Sequence, residues 1–172
     1  MKKIFCFLVL AGLLWNCAQA KINGNTYIDD SYGFEITAPS DWKINTTGVK
    51  KRVLLLSSDE ATEVGVDVMA QTAKNREAYD VAVNQFSAYD SWVYIAGRHL
   101  GMFERHGADS GFSVMYSKSV FGGSGREKKI IVQEYYFIKA GKVYILTMLT
   151  DSEHWTSVKS AIMDAINSFR IY

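Results

Sequence analysis

The sequence predicts an α+β fold in which helices cover an antiparallel sheet. Three observations predict it. Val64, Val66 and Val68 alternate with Glu63 and Asp67, which is the period of a half-buried strand. Two segments switch to helical period: Tyr79, Ala82, Val83 and Phe86, and then Trp155, Val158, Ile162, Ile166 and Phe169. Between them lie four strand-length segments separated by glycine-bearing turns, the pattern of an antiparallel meander.

The elements follow in order. Lys2 and Lys3 form a positive n-region, Ile4 to Trp15 an apolar h-region, and Ala18-Gln19-Ala20 an A-x-A cleavage site. Residues 1–20 therefore read as a signal peptide, too short and too closely followed by polar residues for a transmembrane helix. Residues 21–172 read as a single globular domain whose first six residues are polar and loose. Tyr27-Ile28 and Phe34 to Thr37 are expected as short strands around the turn composition of Asp29-Asp30-Ser31-Tyr32-Gly33. Ala38-Pro39-Ser40-Asp41 turns the chain before Trp42. Arg52 to Ser57 suits a buried strand and Glu63 to Ala70 a half-buried one. A helix is expected over 75–90, with Asn75 as N-cap and Glu77 facing the dipole. The meander strands fall near 93–105, 112–121, 129–139 and 142–150. Thr150 and Glu153 have the spacing of a capping box for the last helix.

Composition narrows the function. Both cysteines, Cys6 and Cys17, lie in the signal, so the mature chain has no thiol for catalysis, disulfides or zinc. Loss of Lys2 and Lys3 turns the formal charge of +1 into −1. A near-neutral chain gives no electrostatic reason for nucleic acid or an anionic membrane as the main partner. Cys17 also stands where a lipoprotein signal would carry its lipidated cysteine. Asn16, in a place usually held by a small residue, and the bulky Trp15 favour free secretion to the periplasm or beyond. A lipid-anchored envelope protein is the alternative.

Tyr32-Gly33-Phe34-Glu35-Ile36 leading to Pro39 and Trp42 resembles the opening of PsbP-like proteins. Tyr136-Phe137, the Gly141 turn, Lys142 to Thr147 and the closing Asn167-Ser168-Phe169-Arg170-Ile171 resemble their ending. The resemblance spans essentially all of residues 21–172. It implies an α/β/α sandwich with a central antiparallel sheet. It also implies a protein that binds other proteins and carries out no chemistry. The shared residues look structural, so it carries no functional residue over.

The search for chemistry yields no catalytic, cofactor-binding or metal residue. His99 and His106 are the most tempting metal pair. Their odd separation puts them on opposite faces of an uninterrupted strand, and both read as surface histidines. Glu104 and His106 share a face at i and i+2, a spacing that suits an oriented imidazole base or an exposed polar pair. His154, in the first turn of the last helix, reads as solvated. Gly122-Gly123-Ser124-Gly125 lacks the final glycine of a nucleophile elbow, since Arg126 stands there, and no phosphate-loop lysine follows. Asp29-Asp30 and Asp59-Glu60 lack the calcium-loop pattern. Lys50-Lys51-Arg52 and Arg126-Glu127-Lys128-Lys129 are short basic clusters at strand ends. Trp92, Tyr94, Tyr135 and Tyr136 would make a binding patch on a solvent face, and alternation puts one of Tyr135 and Tyr136 inward and the other outward.

The leading expectation is a non-catalytic exported envelope protein that binds another envelope protein, with no cofactor and no nucleic acid. A carrier of small molecules or lipids with an apolar pocket, and a hydrolase using Glu104, His106 and a serine, are the other two. An exposed aromatic patch favours the first, an enclosed cavity the second, and a cleft gathering the three residues the last.

Overall fold

The computed structural model describes residues 20–46, 53–57, 62–69, 77–87, 93–101, 103–121 and 127–172. Outside the described residues lie Cys6, Cys17 and the rest of the signal before Ala20. So do Lys50-Lys51-Arg52, Asp59-Glu60, Asn75, Trp92 and the 122–126 loop. The side chains of Tyr94 and His99 lie outside them as well.

The long apolar runs of the last two meander strands build the centre of the fold. β9 (Glu127–Lys139) and β10 (Lys142–Asp151) pair antiparallel from Lys139↔Lys142 to Ile130↔Asp151. Ala140 and Gly141 join them, with φ of 48° and 78°. Two successive left-handed residues give the tight turn whose twist matches that of the strands. Asp109 steadies it by accepting the Ala140 N–H at 2.8 Å. β8 (Ser110–Phe121) and β7 (Val93–His99) extend the sheet on one side, and β6 (Thr62–Met69), β5 (Val53–Leu56) and β4 (Lys43–Asn45) on the other. The sheet runs β4-β5-β6-β10-β9-β8-β7.

The single sheet of the expectation is replaced by two. β1 (Ala20–Asn23), β2 (Thr26–Asp29), β3 (Phe34–Thr37) and β11 (Arg170–Ile171) form a separate four-stranded antiparallel sheet. Residues 21–26 are thus not loose, because Lys21, Ile22 and Asn23 pair with Ile28, Tyr27 and Thr26. Among the described residues there are two helices and two antiparallel sheets, so the α+β class stands.

Two cores hold these elements. One joins Tyr27, Phe34 and Ile36 of the small sheet to Phe137, Tyr144 and Leu146 of the large one, and to Ile162, Ala165 and Ile166 of α2 (Trp155–Ser168). The other joins Ala78, Val81 and Ala82 of α1 (Ala78–Phe86) to Phe112, Val114, Tyr116 and Tyr136. Successive residues of β9 enter different cores: Tyr135 and Phe137 the first, Tyr136 and Ile138 the second. Tyr135 and Tyr136 are therefore both buried, and the outward tyrosine of the expectation does not exist. A period of two reports which face a residue takes, not whether that face is wet.

Helix ends also differ from their sequence signals. α1 is capped by Glu77, which forms a capping box with Asp80, and its buried side is Ala78, Val81 and Ala82. Tyr79 and Val83 of the expected stripe are exposed. Tyr79 leans on Phe112 with ring centres 5.2 Å apart. The expected Thr150–Glu153 box is absent. Thr150 is the buried end of β10, and its hydroxyl lies 2.7 Å from that of Thr62. His154 is the N-cap residue instead, without a side-chain cap bond, and Asp151 accepts its N–H at 3.0 Å.

Candidate functional site

Helix α2 packs on β3, β6 and β10. The same face of the sheet continues sideways through β9, β8 and β7. Register sets two cross-strand rows there: Gln133, Met115 and Ala96, and then Tyr135, Ser113 and Arg98. Between these rows and α2 lies a cavity of about 390 Å³, walled on the helix side by Trp155, Lys159 and Met163. These three helical residues are spaced by four, so they stand on one ridge. A second cavity of about 300 Å³ shares Arg98, Tyr135 and Met163 with the first and runs on to Arg105, His106 and Asn167. Together they make one open groove along the sheet–helix boundary.

The groove has a charge sign. Arg98 and Lys159 line the first cavity and Arg98 and Arg105 the second. No carboxylate among the described residues lines either, and none forms an ion pair with these three cations. Lys159 instead holds its Nζ 5.9 Å from the centre of the Trp155 ring. The floor is polar but closed. Ser113 and Gln133 are buried, and the buried Tyr135 hydroxyl donates to Met163 Sδ at 3.6 Å. Burial pushes the Tyr135 phenol above its ordinary value, against the opposing effects of Arg98 and Gln133, so it stays a neutral donor.

Sequence reading missed this groove. The residues flagged for chemistry do not assemble into a site. β7 ends at His99, and the chain then forms a short 3-10 turn, Phe103–His106, so Glu104 and His106 share no strand face. Glu104 is exposed. His106 is not a surface histidine. It is 9% exposed, its ring tilted against that of Phe137 with centres 4.6 Å apart, and its Nδ1 donates to the Phe169 carbonyl at 2.8 Å. His154 is partly exposed, with Nδ1 2.6 Å from Asp151. Asp29 is buried and serves its own turn, accepting from the Tyr27 hydroxyl and from the N–H groups of Ser31 and Tyr32. Asp30 pairs with Lys21 at 3.0 Å. Among the described residues no three His, Cys, Asp or Glu side chains gather to hold a metal ion. The signal that would have found the groove is Met163 on one ridge with Trp155 and Lys159, off the expected stripe of Trp155, Val158, Ile162, Ile166 and Phe169.

No family model matches the chain, and no curated protein matches it in sequence. Solved structures do match it. The solution structure of cyanobacterial PsbP (CyanoP) from Synechocystis sp. PCC 6803 superposes with a TM-score of 0.55 at 18% identity, covering 90% of this chain and 94% of that one. LpqN of Mycobacterium tuberculosis, described as involved in cell envelope biogenesis, gives 0.54 at 11% identity over 80% and 82%. The Ran-binding protein Mog1p of Saccharomyces cerevisiae gives 0.55 at 9% identity over 88% and 96%.

The chain has a PsbP-like fold. At these identities the likeness is one of fold alone, and the residues that carried the resemblance hold the PsbP-like frame together. Phe34 and Ile36 are fully buried, and Trp42 nearly so. The Tyr32 carbonyl accepts from the Tyr144 hydroxyl at 2.7 Å, and the Gly33 carbonyl accepts from the Tyr172 N–H at 3.0 Å.

One pH effect follows from His106. Burial lowers its pKa below the ordinary 6.5, opposed by its bond to Phe169, and Arg170 and Arg105 lower it further. The unfolded imidazole then protonates first as pH falls. Stability is held above about pH 6.5 and declines below it until the folded-state value is passed. Urea melts between pH 7 and pH 5 are expected to show this decline, at roughly a pH above the carboxylate range. His106→Asn retains a donor toward Phe169 without titrating and is expected to flatten the slope. An unchanged slope would assign it to other groups.

Proposed function

We propose that this protein is a non-catalytic, exported envelope protein that binds another protein through the groove between β7–β9 and α2. The observation that carries the reading is the groove itself. It is open, lined by Tyr135, Trp155 and Met163, and rimmed by Arg98, Arg105 and Lys159. Aromatic and arginine side chains around a concave surface are the usual anchors of protein interfaces. An enclosed apolar cavity would have favoured the carrier. For the hydrolase, His106 is committed to a backbone carbonyl, Glu104 is exposed, and Ser113 lines the other cavity. The named roles of the fold neighbours, Ran binding for Mog1p and cell envelope biogenesis for LpqN, support the same direction. The PsbP-like resemblance supports an α/β/α layering as its frame.

Export rests on the n-region, h-region and A-x-A site of residues 1–20. Among the described residues no helix is long and apolar enough to cross a membrane. The exported form is expected to begin at Lys21 and to carry no thiol. Intact-mass measurement checks this, and a diacylglyceryl mass on a chain beginning at Cys17 would replace free secretion by lipid anchoring.

The binding reading is tested in intact cells with a photoreactive phenylalanine analogue in place of Ala96, and separately in place of Lys43 on the exposed end of β4. A protein adduct formed from position 96 alone is expected. Adducts to lipid or small molecules from position 96 would transfer the groove to the carrier reading.

A further inference from the structure

We infer that the occupant of this groove is an acidic peptide segment of the partner, bound extended, with carboxylates on the cations of the rim and an apolar side chain between Tyr135, Trp155 and Met163. The inference rests on the groove being a protein-binding surface and goes on to name the chemistry of what binds.

Charge complementarity carries it. The chain as a whole is nearly neutral, yet three cations line this one groove, and no described carboxylate lines it or pairs with them. Lys21 and Lys139, by contrast, pair with Asp30 and Asp109. Two of the three cations are arginines, whose planar forks suit a carboxylate in two-point contact. Tyr135 and Met163 lie at the junction of the two cavities with Arg98, so the apolar seat sits between charged positions rather than beside them.

Dimensions fit as well. The helical wall runs from Trp155 to Asn167, which at 1.5 Å per residue is about 18 Å. An extended chain rises about 3.3 Å per residue, so roughly five or six residues fill it. A helix with its side chains is about 10 Å across or more. Two joined cavities of about 390 and 300 Å³ seat a strand-like segment more readily.

The test is selection of a random peptide display library on the folded protein, followed by affinity measurement of the enriched peptides across a salt series. Enrichment is expected for Asp or Glu on both sides of an apolar residue, with affinity falling as salt rises. Arg98→Gln and Lys159→Gln are each expected to weaken binding roughly two- to fivefold. The Arg98→Glu/Lys159→Glu double variant is expected to weaken it by about tenfold or more on the same reasoning. All these side chains are exposed, so folding is preserved, and near-ultraviolet circular dichroism confirms it. Lys43→Glu, the same charge change on β4, is expected to leave binding unchanged. Enrichment of neutral or basic peptides that still compete at the groove would overturn the acidic inference while keeping the groove as a protein-binding surface. Peptides insensitive to the groove variants, or no enrichment with a position-96 adduct to lipid, would overturn both.

Discussion

Phe169→Ala is expected to lower the free energy of unfolding by roughly 3–5 kcal/mol, the usual cost of removing a large aromatic side chain from a packed core. Phe169 is fully buried just past the end of α2. Its ring centre lies 5.7 Å from that of Phe34, 5.6 Å from Phe137 and 6.3 Å from Tyr144. It thus touches the small sheet through Phe34 and the large sheet through Phe137 and Tyr144. Truncation opens a cavity where the two sheets and α2 meet, and three rigid rings cannot collapse into it. A domain of this size has only about 5–15 kcal/mol in total. Phe169→Leu fills more of the space and is expected to cost less. Urea melts at pH 7 measure both. A loss below about 1 kcal/mol for Phe169→Ala would show that the cluster relaxes around the hole, contrary to the rigid packing argued from its rings.

Gly107→Ala is expected to have a comparable effect for a different reason. Gly107 follows the 3-10 turn with φ of 75°, where an L side chain is strained. A Cβ there would also stand 2.1 Å from the Ile171 carbonyl oxygen, which belongs to the backbone of β11 and has no rotamer to move to. Left-handed strain alone costs about 1–3 kcal/mol. The overlap must push the turn off β11, which also carries His106 away from the Phe169 carbonyl. Gly141→Ala is the internal comparison, with φ of 78° and nothing within 4 Å of the added carbon. We expect Gly141→Ala to show the strain alone and Gly107→Ala to exceed it by about 2 kcal/mol or more, as overpacking does. Equal losses in thermal melts would mean that the Ile171 contact yields freely.

These two positions show how unevenly the fold could be read. Phe169 ended a clear helical stripe, and its burial was legible from spacing alone. His106, eight residues after Arg98 in a rim the sequence did not reveal, was read as a surface residue because the strand was expected to run up to it. Between Leu100 and Arg105 only Gly101 hints at the end of the strand, and the 3-10 turn packs against β11, a contact that sequence spacing does not record. In α1 both Ala78-Val81-Ala82 and Tyr79-Ala82-Val83-Phe86 are apolar sets at helical spacing. The first set is the buried one, while Tyr79 and Phe86 of the second lean on Phe112 and Tyr116 with ring centres 5.2 and 5.5 Å apart.

The sequence by itself determined the α+β class, the presence of the four meander strands, the last helix and the buried part of its stripe at Ile162, Ile166 and Phe169. These rest on local period and turn chemistry acting over a few residues, whereas the PsbP-like resemblance rested on the motifs at Tyr32 to Trp42 and Tyr136 to Ile171. Tertiary structure alone decided that the strands divide into two sheets and that both Tyr135 and Tyr136 are buried. It alone decided that Thr150 bonds to Thr62 rather than capping a helix, and that Arg98, Arg105 and Lys159 line one groove. Each of these depends on residues far apart in the chain meeting at a face, and period records a residue's face without recording what covers it.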